Sequence, residues 1–216
     1  MAGLAIALGG TVYLSVENQI VGALFFTVGL FTVCTMNFQL YTGRVCYLFE
    51  NDKNYALQLP LIWLGNLTGT VLTARLLMLT RIAPKLAGSA ALLCETKLSD
   101  NLGSSFLLAI FCNLLIFIAV DGFKHHSHEI GKYLGLFFGV VAFILCGFEH
   151  CVANMYFFTI GGVWSLRTLL YILVMTLGNS VGGLVLPLLR RLAGELQLAF
   201  CLRDPDNVDV SQAVVL

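Results

Sequence analysis

The chain has 216 residues, of which 58% are apolar and 11% charged, and its formal net charge at pH 7 is zero. A soluble domain carries about 25% charged residues, so this composition excludes a surface that faces water throughout. Without net positive charge or a basic block, nucleic acid is not expected as a partner. The apolar runs are continuous rather than alternating as in a barrel, so the sequence predicts an all-α integral membrane protein in a lipid bilayer.

Six membrane spans account for most of the chain, because each span needs roughly 20 apolar residues. They are predicted at about 2–15, 20–49, 56–80, 101–121, 133–163 and 166–190. The start, MAGLAIALGGTVYL, has no charged segment or small-residue cleavage site, so it is expected to be a first span rather than a signal peptide. Polar linkers are expected at 15–18, 50–54, 94–101 and 121–132, and a polar tail at 203–212. We therefore predict a single transmembrane domain over residues 1–216.

Two of these spans are too long for one straight crossing. Residues 20–49 would form a helix of about 45 Å, whereas the hydrocarbon core is about 30 Å thick. Each long span also has a polar patch near its middle, at 37–43 and at 147–154. Strong tilt would explain the length but not the polar patch, so we predict that both helices are broken. In the second patch, Glu149 and His150 are ionisable groups at membrane depth, which normally face a bundle interior or a wet cavity.

Three blocks of the first half recur in the second half in the same order. The pairs are 5–18 with 109–122, 38–40 with 148–150, and 64–69 with 177–182, at offsets of 104, 110 and 113. Three spans per half is an odd number, which forces the second half to insert upside down. The sequence therefore predicts inverted repeats at about 1–90 and 98–200, whose broken helices meet near the bilayer midplane and form the substrate site.

His150 is the candidate for chemistry, with three roles open to it: a packed side chain, a metal ligand or a pore residue. No second histidine lies three or four positions away, and the loop histidines His125, His126 and His128 lack thiol or carboxylate partners at ligand spacing. No metal or cofactor is therefore expected. We favour a pore residue that donates hydrogen bonds to an anion and exchanges a proton with it. Glu149 is expected to fix the helix break or to pair with a cation.

Small and amide residues mark the helices that follow the breaks. Gly65 and Gly69, like Gly178 and Gly182, form flat faces that predict close packing against the broken helices. Two roles remain open for Asn66 and Asn179, which either tie down a helix break or line a pore. Lys132 likewise is either a solvated lysine at a helix end or a cation that attracts anions to a pore mouth.

Three functional classes fit such a bundle. The sequence has no nucleophile elbow, phosphate loop or HExxH motif, so we predict that the protein is not an enzyme. The preferred function is a channel or transporter for a small anion. A neutral-solute channel of the aquaporin kind and a membrane metal or redox enzyme using His150 are the alternatives.

With both termini cytoplasmic, seven Lys and Arg side chains lie inside and five outside, as the positive-inside rule favours.

Several motifs resemble one family. GFEHCVANMYF at 147–157 resembles the GFEHSVANMF signature of the formate/nitrite transporter family, and LYTG at 40–43 resembles its LFTG loop. LGNSVGG at 177–183 and FCNLLIFIAV at 111–120 are similar to two further spans of that family. The resemblance implies a homopentamer of aquaporin-like protomers. Each protomer would have its own pore for a small monovalent anion or its weak acid, with formate, nitrite, lactate and hydrosulfide as candidates.

The resemblance also implies which residues line the pore. From the first half these are Phe26, Leu30, Leu40, Tyr41 and Thr42, and from the second half Asn113, Ile116, Phe143, His150 and Asn179. Two apolar constrictions would flank a central chamber, one formed by Phe26, Phe143 and His150, the other by Leu30, Leu40, Tyr41 and Ile116. Lys132 matches the vestibule lysine of the family.

The chain departs from the family pattern at three motif positions. Gln39 replaces an acidic residue, Tyr41 replaces phenylalanine, and Cys151 replaces serine. The family's amphipathic N-terminal helix and its first-half lysine have no counterpart in the sequence, which begins at the first span. The sequence therefore gives no basis for expecting that an N-terminal helix gates the pore.

Overall fold

A computed structural model describes the backbone of residues 1–203 and the side chains of residues 1–195. Nine α-helices occur in this part of the chain: α1 (Ala2–Ser15), α2 (Gln19–Thr35), α3 (Tyr41–Val45), α4 (Lys53–Leu77), α5 (Ala83–Ser99), α6 (Leu102–His125), α7 (Glu129–Leu145), α8 (Cys151–Ile160) and α9 (Leu166–Arg203). A short 3-10 turn covers Leu48–Glu50, and residues 1–203 contain no strand. The predicted all-α class is confirmed. By length and apolarity alone, α6 and the Leu166–Glu195 part of α9 are able to cross a membrane.

Side-chain caps fix where several helices begin. The Asn18 side chain accepts hydrogen bonds from two backbone N–H groups at the start of α2. Asp52 caps α4 and Asn101 caps α6 in the same way. Such caps satisfy backbone donors that a helix leaves unpaired in its first turn. All three residues lie in predicted linkers, which explains why the sequence marks these boundaries well.

The helix α5 was not predicted. It covers Ala83–Ser99, a stretch in which no span was predicted and whose end was assigned to the polar linker at 94–101. One face of the helix is buried, through Leu86, Ala90 and Cys94 at intervals of four residues. Such a stripe stabilises an amphipathic helix. Charged residues on the other faces break the continuous apolar run that marks a span, so hydropathy did not reveal this helix.

Two other predicted boundaries differ from the structure. The predicted linker 121–132 is mostly helical, because α6 continues to His125 and α7 begins at Glu129. The last helix extends past 190 to Arg203. Apart from the helical backbone of Arg203, the predicted polar tail at 203–212 lies outside the described residues.

Helix boundaries repeat along the chain at a fixed spacing. The ends of α1 and α6, at Ser15 and His125, are 110 residues apart, and so are the starts of α3 and α8, at Tyr41 and Cys151. The predicted offset of 104 for the first block lies between the spacing of the starts of α1 and α6, which is 100, and that of their ends, which is 110, so it stays a prediction. Apolar residues are interchangeable within spans, so two such stretches can be aligned in several registers. The starts of α4 and α9 differ by 113, which agrees with the offset found for the asparagine-glycine blocks.

Two segments without helix separate α2 from α3 and α7 from α8. We call residues 36–40 the first interruption and residues 146–150 the second interruption. Within them, Asn37 has φ 52° and Gly147 has φ 69°. The following residue, Phe38 or Phe148, donates its N–H to the carbonyl five residues earlier at 2.9 Å. A left-handed residue with this bond is a common helix C-terminus, and glycine or asparagine tolerates the conformation best.

The glycines of the two repeated blocks pack closely, most of them against helices other than the predicted partners. A methyl group added to Gly178 would lie 2.5 Å from the Phe106 carbonyl oxygen, and one added to Gly182 would overlap Ile110. Gly69 faces Leu4 in the same way. These three glycines therefore contact α6 and α1, whereas Gly183 faces Val45 and Cys46 at the end of α3, as predicted for the broken helices. Gly65 has no neighbour within 4 Å. Helix-to-helix contact through small residues thus supports the bundle around the interruptions.

Candidate functional site

The first turns of α3 and α8 meet in the interior of the bundle. There Thr42 and His150 are buried, and the Thr42 Oγ1 lies 2.9 Å from the His150 Nε2. The Nδ1 of His150 accepts the N–H of Ala153 at 3.1 Å, so this side chain caps α8. An accepting Nδ1 leaves the proton of the neutral ring on Nε2, which therefore donates to Thr42. The imidazole thus connects the two halves of the chain.

Asn66 holds the first interruption in place. Its Oδ1 accepts the N–H of Tyr41 at 2.8 Å, and its Nδ2 donates to the Gln39 carbonyl at 2.9 Å. These backbone groups are not paired within a helix, and leaving them unpaired in an apolar interior is costly. The sequence left two roles open for Asn66, and the structure shows the first: its side chain holds the backbone at the helix break.

Asn179 does the same for the second interruption. Its Oδ1 accepts the N–H of Cys151 at 2.9 Å, while its Nδ2 donates to the carbonyls of Glu149 and Ala109, both at 2.8 Å. Every polar atom of this side chain is therefore bonded to backbone. Its predicted role in lining the pore stays a prediction, and the polar atoms would not be free to contact a solute.

Asn113 joins these elements from α6. Its Nδ2 donates to the Thr42 carbonyl at 3.0 Å and to the Asn179 carbonyl at 2.7 Å. The Oδ1 is buried and has no partner among the described residues. Buried polar atoms usually have a partner, so this oxygen is available to a proton donor that reaches it.

A cavity of about 300 Å³ opens on one side of His150. We call it the His150 cavity, and its walls include Phe26, Lys97, Phe143, His150 and Phe157. The Phe143 ring stacks on the imidazole with centroids 5.7 Å apart, and Phe26 meets Phe143 edge-on at 6.0 Å. The three residues predicted for one apolar constriction are therefore neighbours.

Lys97 and Asn154 surround Glu149 beside this cavity. The Glu149 Oε2 accepts from Lys97 Nζ at 2.5 Å and from Asn154 Nδ2 at 2.6 Å. All three side chains are largely shielded from solvent. Glu149 was expected to pair with a cation, and Lys97 is that cation. The sequence analysis missed this lysine because it lies on the unpredicted helix α5.

A second cavity, of about 130 Å³, lies beside the first interruption. We call it the Arg44 cavity, and its walls include Leu30, Leu40, Arg44, Phe123 and Lys124. Leu30 and Leu40 belong to the other predicted constriction. Leu40 immediately precedes α3, which carries Thr42, but neither Thr42 nor His150 lines this cavity.

Seven predicted pore residues line neither cavity: Thr42, Asn113, Asn179 and Glu149, described above, and three more. Tyr41 lies in a groove with Pro60 and Trp63, and its hydroxyl bonds to Ser180 at 2.9 Å. Ile116 is buried. Lys132 pairs with Glu129 at 2.8 Å near the start of α7. The pore roles of these three residues stay predictions, and Lys97 rather than Lys132 is the lysine found beside His150.

The loop histidines contact neighbouring residues of the α6–α7 connection. His125 Nδ1 lies 3.0 Å from the Asp121 Oδ1, whereas His126 bonds to the backbone N–H of His128. Within the part of the chain that the structure describes, no three His, Cys, Asp or Glu side chains are arranged to hold a metal ion. The histidines therefore belong to the surface of the α6–α7 connection.

Comparison with known proteins gives consistent results in sequence and structure. The formate/nitrite transporter family model matches residues 1–192. A probable formate transporter of Methanothermobacter thermautotrophicus is 33% identical over 190 residues, covering 74% of this chain and 69% of that protein. The nitrite transporter NirC of Salmonella typhimurium is 29% identical, covering 84% and 73%.

Solved structures share the fold. A pentameric formate channel with formate bound has a TM-score of 0.72 at 21% identity, covering 93% of this chain and 94% of that one. An ion channel of the FNT family has a TM-score of 0.71 at 26% identity, covering 86% and 82%. The chain is therefore an integral membrane protein that belongs to the formate/nitrite transporter family.

Proposed function

We propose that this chain forms a membrane channel for a small monovalent anion or its weak acid, with formate, nitrite or hydrosulfide as substrate. The principal support is the position of His150. Its buried imidazole bonds to Thr42 at the meeting point of two helix starts and lines the His150 cavity, while Leu40 and Gly43, close to Thr42 in the chain, line the Arg44 cavity. Two relatives are named as a formate and a nitrite transporter, and a structural neighbour is named as a formate channel; these names agree with the proposed substrate class.

The same proposal includes the architecture in the bilayer. Two halves, at about 1–90 and 98–200, are inverted repeats of three spans each in an aquaporin-like bundle, and both termini are cytoplasmic. The repeated helix boundaries and the paired asparagine ties support this arrangement. Homopentamers are proposed because a formate channel of the same fold is pentameric. Each protomer then has its own route.

Passage is proposed to depend on apolar rings and a proton donor. An anion without water in an apolar medium is penalised by tens of kcal/mol in a Born estimate, so rings of phenylalanine and leucine oppose its passage. His150 and Thr42 supply an N–H and an O–H between these rings. If the ring first takes a proton from solution at Nδ1, giving up the Ala153 N–H, the imidazolium would transfer a proton to the anion and become neutral again, and the rings oppose the resulting neutral acid far less. Passive and proton-linked movement are both compatible with this chemistry.

Flux into liposomes tests the proposal. Protein-containing and empty vesicles are given formate, nitrite, hydrosulfide or glycerol, and swelling and internal pH are recorded. We expect faster swelling or a faster pH change with at least one of the three anions and no acceleration with glycerol. Equal rates in both kinds of vesicle for all three anions would refute the channel, and acceleration by glycerol alone would indicate a neutral-solute pore.

A further inference from the structure

The two interruptions carry different charges at equivalent positions. At the spacing of 110 residues, Gln39 corresponds to Glu149 and Arg44 corresponds to Asn154. In the second half, the carboxylate of Glu149 neutralises Lys97 and accepts a hydrogen bond from Asn154. In the first half, an amide replaces the acid and a guanidinium replaces the amide. The Arg44 cavity therefore has a cation where the His150 cavity has a neutral partner.

Both cations of the Arg44 cavity lack an ion-pair partner among the described side chains. Arg44 and Lys124 form no ion pair with any residue from 1 to 195. The Arg44 Nε is buried without a hydrogen-bond partner, and the guanidinium carbon lies 5.0 Å from the centre of the Tyr55 ring. Lys124 Nζ lies 3.7 Å above the Tyr47 ring. Aromatic faces attract cations but do not neutralise them.

The acids near these cations have other contacts. Asp121, one turn before Lys124, accepts two hydrogen bonds from Arg190 at 3.1 Å. It also lies 3.0 Å from His125 Nδ1 and accepts the Tyr47 hydroxyl at 3.3 Å. Glu50 is exposed and forms no ion pair within the described side chains. The cavity thus keeps the positive charge of two side chains.

We propose that Arg44 and Lys124 form a binding site for a small carboxylate or inorganic anion of one negative charge. Both side chains line one cavity, and an anion there would supply the counter-charge that neither has among residues 1–195. The cavity of about 130 Å³ has room for an ion of a few heavy atoms, since one water occupies about 30 Å³ in the liquid. Binding is independent of transport, but the role of the site in filling the pore rests on the proposed function.

The two ends of the pore then differ in how readily they fill. Fixed positive charge in a cleft with apolar walls raises the local concentration of anions. In the His150 cavity, Glu149 cancels the charge of Lys97. The site therefore predicts that flux from the Arg44 side saturates at a lower anion concentration than flux from the His150 side.

Binding is measured first, with carbon-13 formate as the probe and purified protein in detergent micelles. Line broadening of the formate resonance reports bound ligand. We expect the apparent affinity to fall by about tenfold in Arg44→Gln and in Lys124→Gln, the lower end of the effect of fixed charge on local concentration. Arg81→Gln, at an exposed cation between α4 and α5, is the matched control and should bind like the wild type. Unchanged affinity in Arg44→Gln and Lys124→Gln would overturn the site.

Sided flux is measured second, in vesicles with uniformly oriented protein. The half-saturating formate concentration should rise in both variants for flux that starts at the Arg44 cavity and stay constant for the opposite direction. An equal change in both directions, or none, contradicts the proposal. If the wild type binds formate through Arg44 but passes no anion, the proposed channel fails and the site stands. If Arg44→Gln does not assemble, Lys124→Gln decides alone, and Arg44→Lys should retain binding.

Discussion

The first and second interruptions share a backbone design but differ in side-chain chemistry. In both, a left-handed residue ends a helix, and an asparagine from a later helix bonds to backbone on either side of the new helix start. The second interruption adds His150 and a neutralised acid, whereas α3, after the first interruption, adds Thr42 and an arginine that has no ion pair among the described side chains. The repeated part therefore builds the scaffold, and the parts that differ determine what the site does.

The largest stability effect is expected where the second interruption depends on a buried ion pair. Lys97→Met leaves Glu149 buried without its cation and should lower the free energy of unfolding by about 3–5 kcal/mol. Denaturant titration in detergent micelles measures the loss. Lys85→Met, at an exposed position on the same helix, is the control and should change little. Equal stability of the two variants would show that Glu149 does not need this partner.

Substituting the two asparagines compares how much stability each interruption gains from its asparagine. Asn179→Ala leaves two backbone groups at the second interruption without their partner and removes a bond to the Ala109 carbonyl within α6, whereas Asn66→Ala leaves two groups at the first interruption. Leaving a buried group unsatisfied costs at least about 1 kcal/mol, so both variants should lose about 2–3 kcal/mol, and Asn179→Ala slightly more through its third bond. The same titration ranks them. A larger loss in Asn66→Ala would mean that the first interruption is the more tightly held.

The left-handed residues give a smaller contrast. Gly147→Ala places a side chain at φ 69° and should cost about 1–2 kcal/mol, although nothing lies within 4 Å of the added methyl group. Asn37→Gly, at the equivalent position, should be nearly neutral because asparagine already tolerates this conformation. Unfolding midpoints measured side by side test the pair. A stable Gly147→Ala would imply that the backbone there can relax.

The smallest effect is expected at Tyr41. Tyr41→Phe removes one hydrogen bond to Ser180 and should cost about 0.5–1.5 kcal/mol while leaving anion flux unchanged. Ser180→Ala removes the same bond and should match it. A clear change in flux with Tyr41→Phe would support the pore role that the family resemblance implies for this residue.

The interruptions themselves were visible in the sequence. Both lie in or beside the polar patches of the two spans that are too long, because polar groups at membrane depth must have a structural reason. Asn66 and Asn179 were visible as a repeat, but only the structure distinguishes a tie from a pore lining. Their partners are carbonyl and amide groups distant in sequence, and no local pattern specifies these.

Lys97 shows where prediction from sequence ends. An amphipathic helix with charged residues produces no apolar run, so α5 and its lysine were missed, and Lys132 was proposed for the vestibule instead. The packing of α5 against α1 and α8 places Lys97 beside Glu149. Arg44 was visible only as a charged residue, because its lack of a partner depends on the surrounding helices.

The most direct measurement of the central claim is the rate of internal acidification after a formate pulse, in vesicles with wild-type protein or His150→Ala, across a range of external pH. If the imidazole lies on the route and exchanges a proton with the anion, the wild-type rate varies with pH and the substitution changes that profile. Identical profiles in the two proteins, both well above empty vesicles, would contradict a route past His150.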